Sequence, residues 1–376
     1  MILVALGGLV AAIWAYLLLG RGFFWSTRLA APAPEPAHYP RVVAVIPARN
    51  EAEGVGRAVA SLLDQDYPGD FSIVLVDDHS NDGTAEVARE AARGREDRFT
   101  IVAARSLPGG WTGKLWALGE GVRQIASPPD LYLFTDADIA HHRTNLRELV
   151  ARLEAEQRDM VSLMVKLHCE SFAEKFLIPP FVFFFALLYP FSWSNNPRKA
   201  TAAAAGGCVL LRRSAYEQIG GYAAIRGELI DDCALAAAVK KSGGSIWLGL
   251  TQGTESLRLY PEIADIWNMV ARTAYTQLQY SPLLLAGTVL GLVITYLAPI
   301  LLLFAGGTAA LLGLAAWIIM SAIYAAMLRF YGRSLLWAPL LPAVASVYLG
   351  ATIASAWRHW RGRGGQWKGR VQWQNR

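Results

Sequence analysis

Apolar positions along this chain follow two patterns: long unbroken blocks near both ends, and short segments of helix or strand period between them. Ile2–Leu19 carries no charge and matches the length a helix needs to span a hydrocarbon core. No charged residue precedes it, and Arg21 and Arg28 follow. The block therefore predicts an anchor (residues 1–20) that starts outside and delivers the next segment to the cytoplasm, with a cleavable signal peptide as the alternative. Residues 283–304, 309–328 and 335–356 are three further blocks of spanning length, together a C-terminal membrane region at 283–356. Three full crossings from inside would leave the C-terminal end outside, although that end is basic. Pro339 and Pro342 weaken the first half of the last block as a helix and make it the candidate for a re-entrant or interfacial segment. Residues 176–191 are apolar, shorter and interrupted by Pro179-Pro180. They predict an interfacial or half-inserted segment, with a buried core helix as the alternative.

Between the blocks the period changes. Residues 31–40, rich in Pro and Ala, read as a linker. Short β-branched runs predict strands at 42–46, 71–76, 99–103, 131–134 and 160–167. Helical spacing predicts helices at 51–63, from Asp82 or Thr84 to Ala92, at 114–125 and at 145–156. This alternation argues for an α/β fold, a mostly parallel sheet with helices on both faces. Ligands of such sheets bind beyond the carboxyl ends of the strands. Two acidic clusters, Asp77-Asp78 and Asp136/Asp138, fall at those ends.

Composition agrees with the blocks: 54% of residues are hydrophobic and 17% charged. A net charge of +5 is too small to argue for nucleic acid, but the tail at 357–376 has five Arg, one Lys and no carboxylate. With Trp at 357, 360, 367 and 373, it predicts a binder of anionic lipid headgroups, with RNA the lesser alternative. Cys169, Cys208 and Cys233 lack metal-ligand spacing and read as buried, reduced thiols.

The chemistry rests on carboxylates. Asp136 and Asp138, spaced to share one face of a strand end, would hold Mg²⁺ or Mn²⁺ through oxygen ligands, with substrate phosphates completing the shell; a capped solvated loop is the alternative. In the run Val76 to Thr84, Asp78 is assigned to a ligand and the later residues to turn and cap chemistry. Asp231 and Asp232 would supply a base for a hydroxyl, or only the acidic first turn of a helix. Lys114, beside Gly113, would meet a phosphate, although alone it reads as a surface lysine. His141 and His142 read as the start of the next helix, facing solvent, with an extra metal ligand as the alternative.

In this order the stretches Val45 to Glu51, Val76 to Thr84, Gly113 to Leu118, Phe134 to Ile139, Gly206 to Arg213 and Asp231-Asp232 resemble the family-2 glycosyltransferases of GT-A fold over residues 41–272. The resemblance implies that Pro47, Ala48, Arg49 and Glu51 lie against the nucleoside and that Asp78 contacts the base, uracil in a UDP-linked donor. It implies that Lys114 and Asp136 face the donor, that Asp136 and Asp138 hold the metal, and that Asp232 is the base of an inverting displacement. Gly206, Gly207, Asp231 and Arg272 would line the acceptor side. Many membrane members carry Gln-x-x-Arg-Trp after the base; here Met269 and Thr273 flank a retained Arg272. That departure favours transfer of one sugar over a processive polysaccharide synthase; a non-catalytic scaffold is the third reading. The anchor, the 176–191 stretch and the tail are similar to ceramide-glucosyltransferase-like members, and the whole layout resembles the bacterial hopene-associated glycosyltransferases. That resemblance implies a membrane lipid acceptor and a multi-pass protein of a bacterial-type cytoplasmic membrane, with its catalytic domain facing the cytoplasm.

Overall fold

The structure, a computed structural model, describes residues 1–362 and the backbone of 366–367 and 370–371. The first half of the chain runs α1 (Ile2–Leu19), β1 (Val42–Ala48), α2 (Ala52–Leu63), β2 (Phe71–Asp77), α3 (Thr84–Ala91), β3 (Phe99–Ala103), α4 (Gly113–Arg123), β4 (Leu131–Thr135), β5 (Ile139–His141), α5 (Asn145–Ala155), β6 (Met160–Lys166) and α6 (Phe172–Leu188). Then come α7 (Phe191–Ser194), β7 (Cys208–Arg212), α8 (Arg213–Gln218), α9 (Asp231–Lys241), β8 (Ile246–Ser256), α10 (Ile263–Gln277), α11 (Pro282–Leu292), α12 (Ala298–Leu302), α13 (Gly307–Phe330) and α14 (Leu341–Trp360). A two-residue pairing of β9 (Gln366–Trp367) with β10 (Arg370–Val371) follows.

The chain divides into two compact units. One, built mainly from residues 28–168 and 193–259, is organised on an eight-stranded sheet of order β3-β2-β1-β4-β7-β6-β8-β5. β3, β2, β1 and β4 are mutually parallel, β6 and β8 share their direction across the reversed β7, and β5 is antiparallel to β8. The sheet is thus mixed and mostly parallel, the α/β GT-A arrangement expected. β1 shows why helices cover both faces. Val42, Ala44 and Ile46 enter one core with α2 and α5 residues, while Val43 and Val45 enter a second core with α4 and α9 residues. A strand buried on both sides reads as a continuous apolar run, which is how its sequence betrays it. The sequence patterns predict five of these strands and miss β5, β7 and β8.

Packing α4 onto β1 requires close approach. A Cβ on Gly121 would lie 2.5 Å from Val45 Cγ1 and 2.8 Å from Val76 Cγ2, so only glycine fits without displacing the sheet.

The other unit holds residues 1–27, 169–192 and 260–362 among the described residues. Five of its helical segments are long and apolar enough to cross a membrane: Ile2–Leu19, Phe172–Ser194, Pro282–Ala305, Gly307–Phe330 and Leu335–Trp360. The 176–191 stretch is therefore part of a longer helix than its sequence suggested. A capping box at Ser171 and Glu174 starts α6 four residues earlier than Lys175–Phe176 would indicate, and Pro179 and Pro180 are accommodated inside it. Pro299 and the π-helical turn Val293–Leu297 interrupt the third segment. The fifth opens with a 3-10 turn, Leu335–Leu340, containing Pro339. Trp357 and Trp360 are exposed near its end, while Trp373 and the side chain of Trp367 lie outside the described residues. All three cysteines are buried and free.

Candidate active site

Six strands point one way, so the carboxyl ends of β1, β2, β4 and β8 lie along one edge of the sheet. The candidate residues of the sheet unit gather there.

At the β1 end, Ala48 O accepts the Asp78 N–H at 2.8 Å. Asn50 and His79 then take left-handed conformations, with φ of 51° and 55°. The two turns are stitched together: Asn50 N–H donates to Ser80 Oγ, Glu51 N–H to Thr84 Oγ1, and Ala52 N–H to Asp82 Oδ2. Asp82 also accepts from Thr84 N–H at 3.0 Å, and these bonds hold its carboxyl below the usual range against its burial. The assignment of these later residues to turn chemistry agrees with the observed bonds. Asp78 is fully buried, with Arg49 donating to its carbonyl at 2.5 Å and lying 3.6 Å from its carboxylate.

At the β4 end the sequence argument needs correction. The strand stops at Thr135, and Asp136 and Asp138 sit on the turn beyond it, closed by Ile139 N–H donating to Asp136 O at 3.3 Å. A shared strand face is therefore not what brings the two carboxylates together; the turn is. Each is matched by a basic side chain, Lys114 Nζ at 2.8 Å from Asp136 and Arg258 Nε at 2.7 Å from Asp138.

Lys114 is no surface lysine. It lies in the first turn of α4 with 19% of its side chain exposed and reaches Asp231 at 3.1 Å as well. Burial pulls its pKa down, but Asp136 and Asp231 outweigh that and hold the ammonium above its ordinary value. Burial raises the Asp136 carboxyl, and Lys114 opposes the rise.

Asp231 and Asp232 both occupy the first turn of α9. Asp232 accepts from Gly206 N–H at 2.9 Å and from Cys233 N–H at 2.7 Å. Burial, then the neighbouring Asp231, push its pKa up to about 6. Gly206 leaves room at this point: a Cβ there would stand 3.0 Å from Lys114 Nζ and 3.5 Å from Asp232 Oδ2 and would press on the ammonium. Gly207 O accepts from Thr135 Oγ1 at 2.8 Å. Lys114, Thr135, Asp136, Gly206, Asp231 and Asp232 line one pocket, with Phe134 and Tyr222 among its apolar walls.

His141 also departs from expectation. It belongs to β5 and is buried, with Nε2 at 2.9 Å from Thr135 Oγ1 and Nδ1 at 2.9 Å from Asn145 Nδ2. Because Thr135 donates to Gly207 O, His141 Nε2 donates to Thr135 and Nδ1 accepts from Asn145, which fixes a neutral ring. Burial depresses its pKa to about 3. His142 is exposed and contacts Thr144.

Arg272 lies on α10, in the other unit, and is exposed. Arg258 is the residue that sequence reasoning missed. Two positions beyond β8, it pairs with both Asp138 and Glu51, whose carboxylate stands 2.9 Å from Nη2. Recognising β8 as a sheet strand would have placed it at the same edge.

Among the described residues no three His, Cys, Asp or Glu side chains gather as a metal site. The Asp136/Asp138 pair nevertheless fits a hard divalent cation, which needs only one or two carboxylates when phosphates and water supply the other oxygens.

Comparison with known proteins agrees with this architecture. The family model described as Glycosyl transferase family 2 matches residues 43–220. An N-acetylglucosaminyltransferase of Rhizobium meliloti (strain 1021) is 32% identical over 132 residues, 35% of this chain and 29% of that protein. A beta-monoglucosyldiacylglycerol synthase of Synechocystis sp. is 30% identical over 150 residues, 37% of this chain and 30% of that protein. The chain thus spans less than a third of the length of either relative, 29% and 30%. A mannosyltransferase from Pyrobaculum calidifontis, solved in complex with GDP-Man and Mn²⁺, superimposes with a TM-score of 0.58 at 20% identity, covering 95% of this chain and 99% of that one. That likeness is one of fold. Residues 43–220 thus match the glycosyl transferase family 2 model, on a sheet of GT-A fold.

Proposed function

We propose that the protein is an inverting glycosyltransferase that moves one sugar from a nucleotide-diphosphate sugar, UDP-linked, to a membrane lipid, hopanoid-related in class. The observation that carries this reading is Lys114, held between Asp136 and Asp231 beside the Asp232 carboxylate. It puts a buried cation where a leaving diphosphate needs one and a raised carboxylate next to it.

In the reaction, Asp232 takes the proton of the acceptor hydroxyl as its oxygen attacks the anomeric carbon. The bond from that carbon to the diphosphate oxygen breaks on the opposite face, so configuration inverts. The Gly206 and Cys233 N–H groups orient the Asp232 carboxylate, and Gly207 lines the same side. Lys114 faces the negative charge that grows on the leaving group. Pro47, Ala48, Arg49 and Asp78 hold the nucleoside, and Arg272 serves the acceptor side. Mg²⁺ or Mn²⁺, held by Asp136 and Asp138, supplies further offset of that charge.

The family domain and a relative named for a glucosylated diacylglycerol support the sugar-to-lipid reading. The apolar helices and the basic, Trp-bearing tail support a multi-pass protein of a bacterial-type cytoplasmic membrane that contacts anionic headgroups, with its catalytic domain on the cytoplasmic side. The test is direct: purified protein is offered a panel of nucleotide sugars with Mg²⁺ or Mn²⁺ and a bacterial lipid extract, and products are read by mass spectrometry. A single-sugar lipid adduct is expected from the wild type, formed at least about 100-fold more slowly by Asp232→Asn. Polymer, or turnover undiminished in that variant, refutes the assignment.

A further inference from the structure

Each carboxylate of the Asp136–Asp138 turn is shared with a second acid through a basic side chain. Lys114 Nζ lies 2.8 Å from Asp136 and 3.1 Å from Asp231. Arg258 lies 2.7 Å from Asp138 through Nε, while its Nη2 lies 2.9 and 3.2 Å from the two Glu51 oxygens. The two cations come from separate elements, one from the start of α4 and the other from beyond β8. Together they carry the same charge as one divalent ion.

A divalent cation entering between Asp136 and Asp138 competes with both. Added alone, it would leave Lys114 and Arg258 beside a new double positive charge, an unfavourable arrangement at a half-buried site. A diphosphate arriving with it removes that penalty, because its oxygens accept from the displaced ammonium and guanidinium. Asp231 and Glu51 meanwhile keep each cation anchored when it lets go of the turn. We propose that Lys114 and Arg258 are placeholder cations that exchange the Asp136–Asp138 carboxylates for the donor's diphosphate, so that metal and nucleotide load together and each binds weakly without the other. This rests on the nucleotide-sugar reading above and adds Arg258 as a diphosphate ligand of the loaded site. No proton moves and no covalent bond changes in the exchange; the two ion pairs Lys114–Asp136 and Arg258–Asp138 are re-partnered.

Binding coupling is reciprocal and spans about 5- to 150-fold in ordinary cases. Wild-type full-length protein in detergent should bind Mn²⁺, followed by electron paramagnetic resonance, at least about 10-fold more tightly when UDP is present. Calorimetry should find the same factor for UDP with and without Mn²⁺. Arg258→Met keeps length and removes charge. It should tighten Mn²⁺ alone and loosen UDP measured with Mn²⁺, so the coupling falls toward unity, while Arg258→Lys restores it. Lys114→Met is the independent variant and should shift both affinities in the same opposed directions. Parallel weakening of both ligands in both Met variants, or unchanged coupling, overturns the exchange while leaving the nucleotide-sugar reading intact. A wild type that binds neither UDP nor Mn²⁺ in any combination overturns that reading, and the exchange with it.

Discussion

Asp232 and His141 are both buried ionisable groups, yet their surroundings push them toward opposite tasks. Asp232 is raised to about 6 by burial and Asp231, so it ionises near the pH at which a general base works well. The transfer rate should rise tenfold per pH unit below about 6 and level off above it, and Asp232→Asn should lose roughly 10²- to 10⁴-fold of turnover with UDP binding retained. A pH profile of initial rates that shows no inflection near that value removes Asp232 as the base. His141 instead is held neutral between Thr135 and Asn145, with its pKa depressed to about 3. Its unfolded value lies near 6.5. Below that the unfolded chain takes up a proton the folded one refuses, so stability present above pH 6.5 is lost as pH falls toward 3, by about 1.4 kcal/mol per unit. Denaturation curves of wild type and His141→Gln should differ in slope between pH 6.5 and 4.5, the variant being the flatter. Local sequence could name the acids because strand ends and acidic pairs are local patterns. It misread Lys114 because its partner Asp231 lies far away in the chain, and His141 because the burial that keeps its ring neutral is set by the fold, although its partners Thr135 and Asn145 are close in sequence.

The same division between local and distant causes holds for the elements. Helices α2 and α5 and strands β1, β2, β3, β4 and β6 carry their own periodicity, and they were legible. β7 and β8 were not, since each is defined by the neighbours it pairs with more than by its pattern. β8 runs to Ser256 through the polar positions Thr251, Gln252 and Thr254, which interrupt any apolar run. Missing β8 meant missing Arg258. Glycine in α4 offers a clean test of packing against propensity. In a helix, Gly→Ala ordinarily gains about 1 kcal/mol. At Gly119 a Cβ meets only the Trp111 ring at 3.8 Å, so Gly119→Ala should be neutral or stabilising. At Gly121 it meets Val45 at 2.5 Å, and Gly121→Ala should instead cost about 1–3 kcal/mol. Thermal unfolding of the pair decides the matter, and equal shifts for both would mean that α4 does not rest on β1 and β2 this closely.

For the whole molecule, helix length and composition count five possible spans, but the contacts inside the apolar unit order them differently. α1 and α13 run in the same direction, since Gly7 lies against Leu312 and Thr27 Oγ1 donates to Ala326 O. Arg21 and Arg333 therefore mark the same end. The segment Pro282–Ala305 returns to α13 through Gly306 and Gly307, which places Pro282 at the Arg end too. α6 never leaves that end: Glu170, before it, pairs with Arg333 at 3.1 Å, and Leu187 O, near its close, accepts from Arg21 at 3.2 Å. The last segment climbs only part of the way. Pro339 O accepts from Trp317, near the middle of α13, and by His359 the chain is back, stacked on Tyr280 two residues before Pro282. On these contacts three segments are the candidates to cross, while α6 and α14 start and finish on the side of the arginines. We propose that this order removes the conflict between crossing count and charge: an N-terminus outside would then leave the basic tail inside, in line with the positive-inside rule. Alkaline phosphatase fused after residue 306 should be active in a bacterial host, and a fusion after residue 362 should be inactive while a fluorescent protein at the same place is bright. An active phosphatase at the second position would mean that the last segment crosses, that the tail meets the outer leaflet, and that its arginines cannot serve the cytoplasmic headgroups assigned to them.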